Sequence, residues 1–199
     1  IPGADPPVRS DRFSRGHRLH GDQPLPIDTA EAYDDTLAAA GVIVDRQQRA
    51  ALIRSQLDAS ADQLNGLPDC PESLFEELVD LVESPRLLQG SIAERFLSLP
   101  PEVIITVMQA HQRYVPLKVP EVTPDPLQLE ATGVLQRDFL LVGNGLEAAD
   151  ALITRGNERV LAARLADAEF FLSVDRRQPS SVRREALDRV TFAEGLGSL

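Results

Sequence analysis

The amino-acid sequence predicts an α+β protein that is rich in helices. Apolar residues recur at the three-and-four spacing of an amphipathic helix along most of the chain. Two shorter segments, 86–92 and 137–144, have the character of strands, and no regular alternation of strand and helix links them. Apolar residues form 43% of the 199 positions, a proportion that suffices for a globular core.

Charge limits what the surface can bind. The formal net charge is −11, which argues against a surface that coats nucleic acid, because phosphate contacts require Lys or Arg. Lys118 is the only lysine among the 20 basic residues, so nearly every positive charge is a guanidinium, a group suited to directional, bidentate contacts. RNA binding is therefore expected only through a local patch.

Composition also indicates the compartment. The single cysteine, Cys70, excludes an intramolecular disulfide and a cysteine-based zinc site, and it fits a reducing, cytoplasmic location. No signal peptide and no apolar run of membrane-spanning length is found, so no membrane partner is expected. Because the chain starts at Ile1 without a methionine, we expect it to be an internal piece of a longer polypeptide.

The strongest positive patch lies in residues 1–28, in the stretch RSDRFSRGHRLHG. Its basic side chains belong to Arg9, Arg12, Arg15, His17, Arg18 and His20. They predict either a ribbon that faces phosphates or an edge strand with solvated arginines. A metal site at His17 and His20 would need Asp11 or Asp22 as a further ligand, so no metal is predicted.

Three helices are expected next. Asp28 can cap a helix over 29–40, which Gly41 ends, and a second helix covers 45–64. Pro71 opens a third helix, whose leucines form one apolar stripe. The other side of the third helix is acidic and has no histidine, so a solvated face is expected rather than a metal site.

The middle of the chain is expected to supply the sheet. After the strand over 86–92, a short helical turn leads to a helix that begins at Pro100 and Pro101. Three segments follow: an extended segment over 114–119, a Pro-rich surface loop over 120–133, and a buried strand over 137–144.

A polar cluster is predicted where the helix after Pro101 ends. His111, Gln112 and Tyr114 form a candidate binding corner, and Arg113 between them is a candidate for contacting RNA. The alternative is an ordinary helix C-terminus, whose dipole favours cationic side chains.

From Leu146 the chain is predicted to be helical nearly to its end, with a break at Gly156-Asn157 and a last helix from Pro179 to about residue 190. The strongest pattern, over 155–178, predicts a wide buried stripe of apolar residues: Leu161, Leu165, Ala168 and Leu172, widened by Val160, Phe170, Phe171 and Val174. Four charged residues on the other faces are candidates for bracing neighbouring domains: Arg159, Arg164, Asp167 and Glu169. We expect an α+β domain over 1–145 and a helical segment over 146–199.

No signature of catalysis is found in these residues. Gly143-Asn144-Gly145 is too short for a nucleotide-binding loop and is not followed by Lys-Ser or Lys-Thr. The sequence also has no Gly-x-Ser-x-Gly motif, and no catalytic dyad emerges from residue spacing. Residue patterns alone therefore do not give a reaction.

Three blocks of the sequence are more specific. RSDRFSRGHRLHG, LPPEVIITVMQAHQRYVPL and GNERVLAARLADAEFFLSVDRRQP resemble consecutive blocks of the beta subunit of bacterial tetrameric glycyl-tRNA synthetase, in the same order and with similar spacing. The closing FAEGLGSL resembles the stretch just ahead of that family's HD-type helical domain. The resemblance covers nearly the whole chain, although the loop over 120–133 is longer than expected.

The resemblance implies a ligase of two alpha and two beta subunits, which attaches glycine to tRNA(Gly) with ATP and Mg²⁺. In that family the glycyl-tRNA synthetase alpha subunit carries the adenylation site, so this chain is expected to hold no cofactor and no catalytic residue of its own. The implied fold is similar to the editing-type domain of phenylalanyl-tRNA synthetase beta chains.

Three roles are compatible with the resemblance. The first is support of tRNA binding by a set of side chains on one surface: Arg12, Arg15, His17, Arg18 and Arg113. The second is a structural scaffold without RNA binding, in which the arginines pair internally with carboxylates and apolar surface is exposed near the ends of the chain. The third is a vestigial editing site, in which His111, Gln112 and Tyr114 would line a pocket.

Overall fold

A computed structural model describes residues 11–21, 23–120, 122, 133–187, 190–193 and 197–198, with residues 191–193 and 197–198 as backbone only. The helices are α1 (Tyr33–Ala39), α2 (Arg46–Leu64), α3 (Glu72–Leu81), α4 (Pro101–Thr106), α5 (Asp150–Arg177) and α6 (Ser180–Leu187). The strands are β1 (Phe13–Arg15), β2 (Pro24–Pro26), β3 (Leu67–Pro68), β4 (Arg86–Ser91), β5 (Val115–Lys118), β6 (Leu135–Gly143), β7 (Thr191–Ala193) and β8 (Gly197–Ser198). Short 3-10 helices cover Glu94–Ser98 and Glu147–Ala149, and a π-helical segment covers Val107–Gln112. The predicted α+β class is confirmed.

A four-stranded antiparallel sheet, in the order β3-β5-β6-β4, forms the centre of the molecule. Its strand β6 is buried on both faces, because successive side chains alternate and Phe139, Leu140 and Leu141 are all inaccessible. Gly90 of β4 lies opposite Phe139, and a Cβ at this position would lie 2.5 Å from the phenyl ring. Glycine at position 90 therefore makes room for the largest core side chain of β6.

Helices cover both faces of this sheet. On one face, α2 and α3 pack against Leu140 of β6 and against the apolar residues of β5. On the other face, α4, the π-helical segment and α5 pack against Phe139 and Leu141. Leu161 and Leu165 of α5 are fully buried there, so this helix completes the core of the three-layered body.

The elements with clear end signals are confirmed. Helix α2 follows Asp45, whose carboxylate accepts hydrogen bonds from the backbone N–H of Gln47 at 2.7 Å and of Gln48 at 3.4 Å. Asn65, with φ 46°, ends the helix in the left-handed conformation. The predicted strands are β4 and β6, and the predicted extended segment contains β5. Most of the loop predicted over 120–133 lies outside the described residues.

Three helix predictions need correction. The first helix covers Tyr33–Ala39 rather than 29–40, and the hydroxyl of Thr29, not Asp28, accepts the N–H of Ala32 at 3.3 Å just before it. Beyond α4 the chain widens into the π-helical segment, which ends at Arg113 with φ 60°. The last helix ends at Leu187, and the backbone of β7 pairs with β8 beyond it.

Helix α5 is continuous over 28 residues, so the predicted break at Gly156-Asn157 is wrong. Gly156 is exposed, and a Cβ at this position would touch nothing. The side-chain amide of Asn157 donates to the carbonyl of Ile153 at 2.7 Å, and its oxygen accepts from the hydroxyl of Tyr114. These contacts and the packing of the helix on the sheet outweigh the turn preference of Gly-Asn.

The predicted width of the buried stripe on α5 is also wrong. Phe170 is 61% exposed and Phe171 is 64% exposed, and Val160 is exposed as well. The two phenyl rings contact each other edge-on, with centroids 5.6 Å apart. Leu152 and Phe170 fall on the same side of a helix with 3.6 residues per turn, so the outer face of α5, directed away from the sheet, carries exposed apolar side chains between charged ones such as Arg159.

Candidate nucleic-acid interface

The predicted positive patch forms a two-stranded antiparallel ribbon over residues 11–26, here named the arginine ribbon. In it Phe13 lies opposite Pro26 and Arg15 lies opposite Pro24. Pro24 and Pro26 have no N–H to donate to another strand, which limits further sheet growth at β2. Arg9 of the predicted patch lies outside the described residues.

Two glycines let the arginine ribbon approach the end of α1. A Cβ at Gly16 would lie 2.7 Å from the Cβ of Ala40 and 2.8 Å from its carbonyl oxygen. The N–H of His17 donates to that carbonyl at 2.8 Å. At Gly41, φ is +80° and a Cβ would lie 2.9 Å from the ring of His20. The Arg-Gly-His part of the motif is therefore a packing feature.

His17 is buried, with 2% exposure, although it was predicted among the RNA-contacting residues. Its Nδ1 accepts the N–H of Leu19 at 3.3 Å, which fits the neutral tautomer with its proton on Nε2. The Nε2 atom has no hydrogen-bond partner within the described residues and lies 3.8 Å from a carboxylate oxygen of Glu83. His17 therefore packs between the ribbon and the body, and its predicted contact with RNA stays a prediction.

The arginines of the ribbon are exposed. The guanidinium of Arg12 donates to the backbone carbonyl of Asp28 at 3.4 Å and to no carboxylate within the described residues, whereas the backbone N–H of Arg12 donates to the Asp11 carboxylate at 2.7 Å. Arg18 makes neither a hydrogen bond nor an ion pair with any residue that the structure describes. The guanidinium groups of Arg12 and Arg18 are therefore available to an external anion.

The acidic side of α3 is exposed to solvent, as predicted, and it also pairs with arginines from neighbouring elements. The ion pairs are Arg46–Glu76, Arg46–Asp80, Arg54–Glu72 and Arg113–Glu77. The hydrogen bond from Arg46 holds the pKa of Asp80 below its ordinary value. The structure thus neutralises most of this acidic strip internally.

Arg113 belongs to the paired set and not to the ribbon. Its Nε lies 2.6 Å from a carboxylate oxygen of Glu77, and its guanidinium also donates to the carbonyls of Gln109 and Ala110. None of its described contacts involves the ribbon. The five residues predicted to contact RNA are therefore not all assembled on one surface, and their RNA-binding role stays a prediction.

The described structure places the three residues of the predicted polar corner differently. A cavity of about 230 Å³ is lined by Gln112 and Tyr114 but not by His111, which is exposed. The hydroxyl of Tyr114 donates to Asn157, and its ring stacks on Phe139 with centroids 5.0 Å apart. Burial raises the pKa of Tyr114. Tyr114 is therefore part of the hydrophobic core.

The charged residues predicted to brace other domains lie along α5. Arg159, Arg164 and Asp167 are exposed and Glu169 is half-buried, and no ion pair joins Arg164 to Asp167. Their bracing role stays a prediction.

Two other acidic residues, which the sequence did not single out, attach α5 to β4. Asp150 pairs with Arg86, and Glu158 accepts the N–H of Ser91 at 2.9 Å. In the sequence, Glu158 is only a charged residue next to the predicted buried stripe of α5, and nothing there indicates its contact with β4.

The described residues show no metal site, no membrane-spanning helix and no activated thiol. They contain no group of three or more His, Cys, Asp or Glu side chains placed to hold a metal ion. No helix there combines the length and the apolar character needed to cross a membrane. Burial raises the pKa of Cys70 to about 11, so its thiol is protonated and weakly nucleophilic at neutral pH.

Comparison with known proteins agrees with the resemblance seen in the sequence. A family model described as "Glycyl-tRNA synthetase beta subunit" matches residues 1–199.

The glycine–tRNA ligase beta subunit of Psychromonas ingrahamii is 41% identical over 193 residues, which are 96% of this chain and 26% of that protein. The corresponding subunit of Gloeothece citriformis is 40% identical over 192 residues, 96% of this chain and 26% of that protein. That of Bacillus subtilis is 38% identical over 199 residues, 100% of this chain and 28% of that protein. The chain spans about a quarter of the length of these relatives, and it belongs to the glycyl-tRNA synthetase beta subunit family.

Proposed function

We propose that the chain is an internal, non-catalytic part of a glycine–tRNA ligase beta subunit. It supports the attachment of glycine to tRNA(Gly) by contributing to tRNA binding and by holding neighbouring parts of the enzyme together. The glycyl-tRNA synthetase alpha subunit would supply the adenylation site, with its ATP and Mg²⁺, and the sequence of this chain has no nucleotide-binding loop that would duplicate it. Helices on both faces of a small antiparallel sheet support the further proposal of an editing-type domain fold.

The tRNA-binding part of this proposal is carried by the contrast between two sets of arginines. Acidic residues outnumber basic ones by 31 to 20, so an arginine readily finds an internal carboxylate. Those that flank α3 do so, whereas the guanidinium groups of Arg12 and Arg18 contact no carboxylate within the described residues. Guanidinium groups held at the surface without an internal anion are suited to phosphate contacts.

Binding of tRNA(Gly) to the full-length beta subunit, assembled with its alpha subunit, tests this role. The double variant Arg12→Ala/Arg18→Ala is expected to weaken binding and to make it less dependent on salt. The slope of log affinity against log salt concentration should fall in magnitude by about 0.7–0.9 for each phosphate that the variant no longer neutralises. Filter binding between roughly 50 and 200 mM salt measures both quantities. Arg46→Ala is the matched control, because it removes an arginine that is paired internally. Unchanged affinity and slope in the double variant would contradict the role of the ribbon.

The architectural part rests on the exposed apolar side chains on the outer face of α5. Leu152, Phe170 and Phe171 are all exposed, and large apolar side chains at a surface, rimmed by charged residues, mark a site of contact with another part of a protein. The relatives are about four times as long as this chain, so most of such a subunit lies outside residues 1–199. We propose that a further segment of the beta subunit covers this face.

Substitution of the exposed phenylalanines in the full-length subunit tests the architectural role. Phe170→Ser/Phe171→Ser is expected to lower the thermal unfolding temperature of the assembled ligase, because an apolar interface is removed. Asp58→Asn, exposed on α2 on the other side of the sheet, serves as the control. An unfolding temperature equal to that of the native ligase would show that nothing packs on this face.

A further inference from the structure

A cavity of about 450 Å³ opens beside the arginine ribbon, between β1 and the turn that precedes α1. Its walls include Arg12 and Phe13 of the ribbon and Asp28 and Tyr33 beyond it. Phe13 is 58% exposed and Tyr33 is 40% exposed, so both rings are accessible from solvent. The volume lies within the range of about 300–1,000 Å³ that is typical of small-molecule pockets. It can hold one flat, ring-containing group.

Exposed aromatic rings occur at two places in the described residues, at this cavity and at Phe170 and Phe171 of α5. Aromatic residues are only 5% of the sequence, and Phe75, Phe96 and Phe139 are buried in the body. Phe13 and Tyr33 instead line one open cavity together with a guanidinium. Exposed aromatic rings beside an arginine are the means by which proteins bind unpaired bases, since every base has a π-face that can stack on a ring.

We propose that this cavity binds an unpaired nucleotide of RNA, with its base stacked on Phe13 or Tyr33. This inference rests on the proposed tRNA-binding function and adds to it a subsite for one nucleotide. The ribbon supplies charge for the phosphates, and the cavity supplies a non-ionic contact for a base that is not in a helix.

Charge inside the cavity favours a base over a phosphate. Two carboxylates, Asp11 and Asp28, accompany the single guanidinium of Arg12, so an anion inside would be repelled. A base is neutral, and carboxylates accept hydrogen bonds from exocyclic amino groups. The carboxylate of Asp28 has no hydrogen bond or ion pair within the described residues and is free to accept one. The cavity therefore prefers cytosine, adenine or guanine over uracil.

Ring-specific variants of the full-length ligase test the stacking contact. Phe13→Leu/Tyr33→Leu keeps apolar side chains but removes both rings, whereas Phe13→Tyr/Tyr33→Phe keeps them. The leucine variant is expected to bind tRNA(Gly) about 5- to 100-fold more weakly with an unchanged salt slope, because stacking involves no counterion release. The variant that keeps both rings is expected to bind like the native ligase.

Ultraviolet crosslinking locates the contact directly. A crosslink between tRNA(Gly) and a peptide that contains Phe13 or Tyr33 is expected, at an unpaired nucleotide, and it should disappear in the leucine variant. Replacement of that nucleotide by uridine should weaken binding, and equal binding would overturn the base preference.

The two proposals fail in different ways. If Arg12→Ala/Arg18→Ala changes the salt slope while the leucine variant binds normally and gives the native crosslinks, the nucleotide subsite is wrong and tRNA binding by the ribbon stands. Equal weakening by the variant that keeps both rings also overturns the subsite, since it would show a structural effect. If neither the arginine variant nor the leucine variant changes binding, both proposals are wrong.

Discussion

The body of the molecule and the arginine ribbon use the same two residue types in opposite ways. In the body, Phe75 and Phe96 are buried, and the guanidinium groups of Arg54 and Arg95 lie 3.7 and 4.4 Å from their ring centroids. In the ribbon, Phe13 is exposed and the guanidinium of its neighbour Arg12 contacts no carboxylate within the described residues. Arginine and phenylalanine stabilise the fold at these positions of the body, whereas in the ribbon they face outward.

This difference shows why charge alone is a poor guide to a binding surface in an acidic protein. Arg113 and Arg18 are equivalent by residue type, yet the first is paired with Glu77 and the second has no described partner. Whether an arginine can reach an external phosphate depends on whether an internal carboxylate already holds it. That property belongs to the folded chain.

The largest difference between the regions is expected for phenylalanine truncation. Phe139→Ala removes a fully buried ring from β6 and should lower the free energy of unfolding of the chain by about 3–5 kcal/mol. Phe13→Ala, in the ribbon, should change it by less than about 0.5 kcal/mol, because the ring is exposed. Urea-induced unfolding measures both values. Similar decreases for the two variants would contradict the division into body and ribbon.

A methyl group at Gly16 should separate the ribbon from the body. Since the added Cβ would lie 2.7 Å from that of Ala40, Gly16→Ala should cost about 1–3 kcal/mol through overpacking, confined to this contact. Hydrogen exchange of amides in residues 11–26 should accelerate while β6 stays protected. Gly156→Ala is the matched control, because its site on α5 is open and alanine favours a helix by about 0.5–1 kcal/mol. Unchanged exchange in the ribbon of Gly16→Ala would show that it is not anchored there.

A smaller difference is expected for arginine removal. Arg54→Gln removes both the ion pair with Glu72 and the contact with the Phe75 ring, and should lower the free energy of unfolding by about 0.5–1 kcal/mol. Arg18→Gln should leave it unchanged, since the residue has no described partner. Equal effects in denaturant titrations would show that the ribbon arginine contributes to the fold after all.

The sequence predicted best those elements whose signals are local. Asp45 and the segment around Asn65 delimit α2 by capping chemistry alone, and the apolar run of β6 is long enough to identify a buried strand. The local arginine-rich pattern likewise predicts an exposed edge ribbon that contains Arg12 and Arg18. The proximity of Phe13 to Tyr33 could not be predicted, because it depends on how the ribbon folds back on the turn before α1.

The predictions that were wrong concern tertiary contacts. Apolar residues occupy most of the circumference of α5, and only the position of the sheet decides that Leu161 is buried and Phe170 exposed. The burial of His17 results from the close approach of Gly16 to Ala40, which no spacing in the sequence reveals. The Gly-Asn turn signal in α5 is overridden by the partner that Asn157 finds in Tyr114.

The smallest expected effect is the pH dependence of one ion pair in the body. Arg46 lowers the pKa of Asp80 below its ordinary value of 3.8 in the folded chain, mainly through a hydrogen bond. Because the pKa of Asp80 is lower in the folded chain than in the unfolded chain, its ionised carboxylate stabilises the fold at pH values above the unfolded-state pKa. This stabilisation disappears as the pH falls toward the folded-state pKa. Arg46→Gln should therefore destabilise the chain more at about pH 6 than at about pH 2.5. Since Arg46 and Asp80 are both exposed, salt screens their interaction, and the difference in destabilisation between the two pH values should be smaller in high salt. Denaturant titrations at both pH values measure this difference. Arg18→Gln should show no such dependence, and a destabilisation in Arg46→Gln that is equal at both pH values would mean that the pair with Asp80 does not stabilise the body.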